Sequence, residues 1–151
     1  MIIAVDFDGT IVEHAYPKIG KEIPFAIDVL KRLQNEEGHT LIMWTFRVGD
    51  LLQEAIDFCK SKGLEFYAYN KNYPDEDYFS EKIPRKLSVD LFIDDRNLGG
   101  MHDWGIIYKM IKSGVNSFHA MEDFDMEPPK RRKNWFIRFG EAWDRARGRR
   151  Y

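Results

Sequence analysis

The stretch Met1-Ile-Ile-Ala-Val-Asp-Phe-Asp-Gly-Thr-Ile-Val12 decides how the rest of the chain is read. Ile2 to Val5 is a short apolar run, the pattern of a strand buried on both faces of a parallel sheet. It runs into Asp6, and Asp8 follows two residues later, before the turn-forming Gly9 and the hydroxyl of Thr10. Ligands of open α/β sheets collect beyond the carboxyl ends of the strands. Two acids two positions apart face the same side while the chain stays extended. Taken alone, the stretch also reads as an ordinary strand entering an Asp/Gly turn.

Working outward, apolar runs alternate with segments of helical spacing. Pro24 suits a first helical turn, Ala26, Leu30 and Leu33 share a face with Ile27 and Val29 beside them, and Gly38 marks a stop. Thr40 to Trp44 is a second strand, running into Thr45. A helix from about Gly49 to Lys62 follows, with Leu52, Ala55, Ile56 and Cys59 on one face, then a third strand from Glu65 to Tyr69. The polar segment Asn70 to Glu81 carries Asp75, Glu76 and Asp77 but lacks the glycine and terminal glutamate of a calcium loop, and reads as solvated. Val89 to Ile93 is a strand ending on the adjacent carboxylates Asp94 and Asp95. Beyond Gly99-Gly100, His102 and Asp103 read as the entry to a helix with Trp104, Ile107, Tyr108 and Ile111 on one face, before a short strand over Val115 to His119. This alternation predicts an α/β, Rossmann-like three-layer fold, a mainly parallel central sheet with helices on both faces.

Composition narrows the class. With 151 residues, 44% apolar and 32% charged, the chain is expected to be one soluble catalytic domain (1–129) followed by a short tail. No apolar run approaches the ~20 residues that cross a bilayer. The single cysteine, Cys59, excludes an intrachain disulfide, sits on an apolar helix face and suits a reducing cytoplasm, as does an N-terminus without a signal-type segment. No dinucleotide fingerprint or P-loop occurs.

Asp6-Phe-Asp-Gly-Thr-Ile-Val12 directly after a first hydrophobic strand resembles motif I of the haloacid dehalogenase-like phosphohydrolases, and the resemblance extends over about residues 1–113. Thr45, ending the second strand, resembles the hydroxyl of motif II; Asp94-Asp95 resembles motif IV; Lys86 resembles motif III, with Lys82 as the competing candidate. The segment 14–20 is too short for a cap domain, so the chain resembles the small members with a fairly open site. The resemblance implies a Mg2+-dependent phosphatase acting on a small phosphomonoester through an aspartyl-phosphate. Asp6 would be the nucleophile and Asp8 the proton donor and acceptor. Asp6 and Asp94, with or without Asp95, and Asp8 through its backbone carbonyl, would hold the metal. Thr45 and Lys86 would hold the phosphoryl group, and Gly9 and Thr10 would shape the turn and offer N–H groups to phosphate.

The residue types suit that chemistry. Adjacent acids at a strand end repel one another unless a cation offsets them, and an all-oxygen donor set favours magnesium over zinc. A carboxylate with an ordinary pKa near ~4 is ionised at neutral pH and needs no base to attack. Its obstacle is the anionic phosphate: a like-charge pair at ~4 Å costs roughly 4 kcal/mol at an effective dielectric near 20. His14, Tyr16 and Arg47 are rim candidates for the substrate, although His14 and Tyr16 read first as ordinary loop residues and Arg47 equally as a solvated surface arginine.

Residues 130–151 hold nine Lys/Arg against two Asp/Glu, a net charge of +7, while the preceding 129 residues carry −9. Trp135, Phe139, Ala142, Trp143 and Ala146 form one stripe, which predicts an amphipathic basic helix. It is expected to pack on the acidic body, with contact to nucleic acid or a membrane surface as the alternative. Two rival functions follow: a polynucleotide-end phosphatase using the tail, and a regulatory protein that keeps the metal and phosphate site without turnover.

Overall fold

A computed structural model of the chain describes residues 1–77 and 84–114, all within one compact unit, Met1–Asn116. At its centre is β1 (Ile2–Val5), whose residues are too apolar to tolerate an edge. It pairs in parallel with β2 (Thr40–Met43) on one side and β4 (Leu91–Ile93) on the other, and β3 (Ala68–Tyr69) adds to β2, giving the order β3-β2-β1-β4. The expected α/β, Rossmann-like class with a mainly parallel central sheet is the one observed.

Three helices are described: α1 (Ala26–Asn35) between β1 and β2, α2 (Gly49–Ser61) between β2 and β3, and α3 (Trp104–Lys112) after β4. Their buried residues are those that the apolar spacing picked out, including Ala26, Leu30 and Leu33, then Ala55, Ile56 and Cys59, then Trp104, Ile107 and Ile111. Strand alternation sends Ile3, Val5, Leu41, Met43 and Ile93 into that same cluster, so one sheet face carries all three described helices. Ala4, Ile42 and Ala68 point the other way and pack with Leu87, Val89, Trp44 and Phe92. Among the described residues this second face is therefore covered by the segment entering β4 rather than by a helix.

Ends differ in detail. Trp44 N–H still donates to the Val5 carbonyl (2.8 Å) and Asp90 N–H to that of Ile2 (2.9 Å), so the pairing outruns the regular strands. The third strand is shorter than expected, because an edge position leaves Glu65 and Tyr67 facing water. Asp103 caps α3, its Oδ1 accepting from Ile106 N–H at 3.0 Å. The acidic segment is corrected at one position: Glu76 is buried, accepting from Asn72 N–H and Nδ2, both at 2.7 Å, while Asn72 Oδ1 accepts from Ser88 N–H. Lys82, the expected strand 115–119 and the tail 130–151 lie outside the described residues. No helix among the described residues is long and apolar enough to cross a membrane.

Candidate functional site

Because β1 and β4 are parallel neighbours in register Val5↔Ile93, the residues that follow them emerge together at the carboxyl edge. Asp6 N–H donates to the Ile93 carbonyl at 2.9 Å, fastening this junction. One carboxylate oxygen from each of Asp6, Asp94 and Asp95 lies within 4.8 Å of the others. Burial, against a backbone N–H from Phe7 that works in the opposite direction, pushes the Asp6 carboxyl up to about 7, with the charges of Asp94, Asp95 and Asp8 adding to the rise. Among the described residues Asp95 Oδ1 is buried and accepts no hydrogen bond. A buried carboxylate oxygen without a hydrogen-bond donor, beside two further acids, is one that a cation could satisfy. Oxygen atoms on opposite sides of a magnesium ion lie ~4 Å apart, so the spacing and the all-oxygen set fit that metal.

The turn after β1 is tightly tied. Thr10 is fully buried; its hydroxyl donates to Asp6 Oδ2 (3.4 Å) and accepts from Asp95 N–H (3.1 Å), and Trp104 Nε1 donates to its carbonyl (3.0 Å). Gly9 has φ +94, and a Cβ there would overlap His14 Nε2 and come within 2.5 Å of Asp95 Oδ2. His14 Nε2 itself lies 2.8 Å from Asp95 Oδ2, so this half-exposed residue does border the carboxylates. Tyr16 is exposed at the same loop, its ring edge-on to Phe46.

Asp8 behaves differently from its neighbours. Its side chain is not in the three-carboxylate group; both of its oxygens accept from Arg47, Oδ2 from Nε and Oδ1 from Nη2, each at 2.7 Å. Arg47 is fully buried, which corrects the reading of a surface arginine. Its remaining donors go to the backbone, Nη1 to the Pro17 carbonyl (2.9 Å) and Nη2 to that of Lys18 (2.8 Å). The bidentate bond with Asp8 raises its pKa further above the usual arginine value. Thr45 sits at the end of β2, its Oγ1 accepting from Arg47 N–H (3.3 Å) and its N–H donating to Asn70 Oδ1 (2.8 Å).

Asn70 was not singled out from the sequence. It stands just after β3 with φ 54, a conformation asparagine tolerates, and braces both Thr45 and the Arg47 carbonyl. An asparagine directly after a strand is the only signal that could have found it. Lys86 is exposed and shares a concavity of about 410 Å³ with Trp44, Arg85, Phe92, Asp94 and Asn97. That concavity joins the expected lysine to the acidic cluster through Asp94.

A scan against models of protein families finds no match, and a search of curated proteins finds none. Among solved structures, the chain is similar to one described as a conserved protein coded by locus from Bacteroides thetaiotaomicron. The two are 63% identical over 76% of this chain and 91% of that one, with a TM-score of 0.71. At that identity and coverage, this chain belongs to the same family as the conserved Bacteroides thetaiotaomicron protein.

Proposed function

We propose that the protein is a magnesium-dependent phosphatase that hydrolyses a small phosphomonoester through a phosphorylated Asp6. One observation carries this reading: Asp6, Asp94 and Asp95 converge at the ends of two neighbouring parallel strands, while Asp8 is turned out of their group. The order and spacing of these residues are those of haloacid dehalogenase-like phosphohydrolases, and the protein is proposed as a member of that superfamily. Asp6, Asp94 and Asp95 would hold the cation, with the backbone carbonyl of Asp8 as a further ligand. When bound, the cation offsets the mutual repulsion of carboxylates and phosphate and stabilises charge as it develops.

An Asp6 oxygen attacks phosphorus as the bond from phosphorus to the ester oxygen breaks, and Asp8 gives its proton to that departing oxygen. Water then attacks the phosphorylated Asp6 at phosphorus, Asp8 takes the proton, and the Asp6 oxygen departs, leaving inorganic phosphate. Thr45 and Lys86 bind the phosphoryl oxygens; the expected contact from Gly9 and Thr10 is corrected, since their N–H groups donate to the carbonyls of Val12 and Phe7 and only shape the turn. The concavity lined by Trp44, Arg85, Lys86 and Asn97 takes the alcohol half of the ester.

Hydrolysis of an aryl phosphate with and without magnesium tests the reading directly. Turnover should require the cation and fall at least ~1,000-fold in Asp6→Asn, which keeps the shape but removes the nucleophile. Full activity in that variant, or cation-independent turnover, would overturn it. The tail that would support a polynucleotide substrate lies outside the described residues, and no observation favours the non-catalytic alternative.

A further inference from the structure

The concavity beside Asp94 holds two features that a phosphate alone does not call for, a pair of aromatic rings and a second cation. One position past the paired residues Val5, Met43 and Ile93, the chain reaches Asp6 on β1, with Trp44 on the β2 side and Asp94 on the β4 side. Neighbouring strands lie ~4.8 Å apart, so the Trp44 backbone stands next to that of Asp6. Trp44 and Phe92 both pack on the buried residues Ala4, Ile42, Ala68 and Leu87, yet both stay partly exposed and line the concavity. Between their strands β1 offers only the methyl group of Ala4, in register with Ile42 and Phe92.

The cations arrive on the segment entering β4. Leu87 is buried and Ser88 N–H donates to Asn72 Oδ1 at 2.7 Å, so the chain is anchored directly after the exposed Arg85 and Lys86. Among the described residues neither forms an ion pair, whereas Arg32, Arg47, Lys60, Lys62 and Lys112 each meet a carboxylate. Lys86 serves the phosphoryl group in the reading above, which leaves Arg85 over. Its planar fork matches a carboxylate or a phosphate, on a portion of the chain whose −9 would otherwise repel a ligand with two anionic groups. We propose that the substrate is a phosphomonoester whose alcohol half carries an aromatic ring and a second anionic group, the ring on Trp44 and Phe92 and the anion on Arg85. This rests on the phosphatase reading and names its substrate class. An alkyl phosphate without ring or second anion would gain neither the ring contacts nor the second ion pair.

Calorimetry with magnesium present, on wild type and Arg85→Met, tests this with phosphonates, whose carbon–phosphorus bond the proposed hydrolysis does not cleave. Wild type should bind 3-carboxybenzylphosphonate about tenfold or more tightly than benzylphosphonate, and Arg85→Met should lose that preference. Benzylphosphonate should bind about threefold or more tightly than cyclohexylmethylphosphonate, a comparison that needs no variant. Turnover of adenosine 3′,5′-bisphosphate against adenosine 5′-monophosphate asks the same question of a phosphate as second anion. A preference for either second anion that disappears in Arg85→Met supports the proposal, and the larger of the two identifies its source. No preference for a second anion, one that survives in Arg85→Met, or equal binding of the benzyl and cyclohexylmethyl ligands would overturn it. Failure of the phosphatase reading is separately visible: wild type would then turn over neither nucleotide, while the phosphonate affinities would still decide whether the concavity selects a ring and a second anion.

Discussion

Asp6 is the residue on which the opposing demands of the site fall. Its carboxylate is half enclosed between two other acids, and without a cation it holds a proton up to about pH 7 where an unfolded aspartate releases one near 3.8. Between those values the folded chain binds the proton and the unfolded chain does not. The stabilising contribution is therefore complete below the unfolded pKa and is lost as pH rises toward 7. About three pH units correspond to at most ~4 kcal/mol. In metal-free buffer, the stability of wild type relative to Asp6→Asn should decline by that order between pH 4 and 8, as read from urea unfolding at each pH. Magnesium should raise the melting temperature of wild type more at pH 8 than at pH 5, since only the ionised form gains from it. A pH-independent difference between the two proteins would show that Asp6 is not strained by its neighbours.

At the scale of elements, the site depends on strand ends being held together by residues that are not strand residues. Asn72 and Glu76 form such a brace: Glu76 takes two hydrogen bonds from Asn72, and Asn72 takes one from Ser88, two positions beyond Lys86. Glu76→Ala leaves two donors without their acceptor and should cost about 1–3 kcal/mol in urea unfolding. Because the brace reaches the segment carrying Lys86, KM for an aryl phosphate should rise while kcat changes little; an unchanged KM with reduced stability would confine Glu76 to folding. The sequence could not give this role away, since Asp75, Glu76 and Asp77 differ little in type and only the middle one turns inward. Arg47 is the stronger case. Its neighbours Phe46 and Val48 are 85% and 68% exposed while Arg47 itself is 0% exposed, the reverse of what hydropathy dictates. Its carboxylate partner lies 39 positions away and its other partners are backbone carbonyls, which have no residue type to read. By contrast, the helices and the Asp6/Asp94/Asp95 convergence were legible: apolar spacing reports which side of an element is buried, and acids that terminate buried strands land at one edge once the strands are parallel.

Considered as a whole molecule, the chain divides its charge as sharply as its chemistry. Every residue to which the proposed phosphatase reading gives a role lies within Met1–Asn116, on an acidic portion whose excess negative charge would repel a phosphate unless a bound cation, Lys86 and Arg85 offset it. The net +7 of residues 130–151 brings the total to −2, so deleting those residues leaves a chain of −9. If chemistry resides wholly in the acidic portion, a chain of residues 1–129 should hydrolyse an aryl phosphate within about twofold of the full-length kcat/KM at 0.15 M salt. Lowering the salt should then slow the truncated chain relative to the full one, because unscreened negative charge opposes an anionic substrate over a Debye length that grows from ~8 Å at 0.15 M to ~30 Å at 0.01 M. Salt-sensitive binding of a single-stranded oligonucleotide by the full-length protein, lost on truncation, would instead favour the polynucleotide reading of the tail. A tenfold or greater loss of turnover at 0.15 M salt in a truncated chain that keeps its circular dichroism would mean that the tail contributes to the reacting site, and the substrate class would then have to be sought among polyanions.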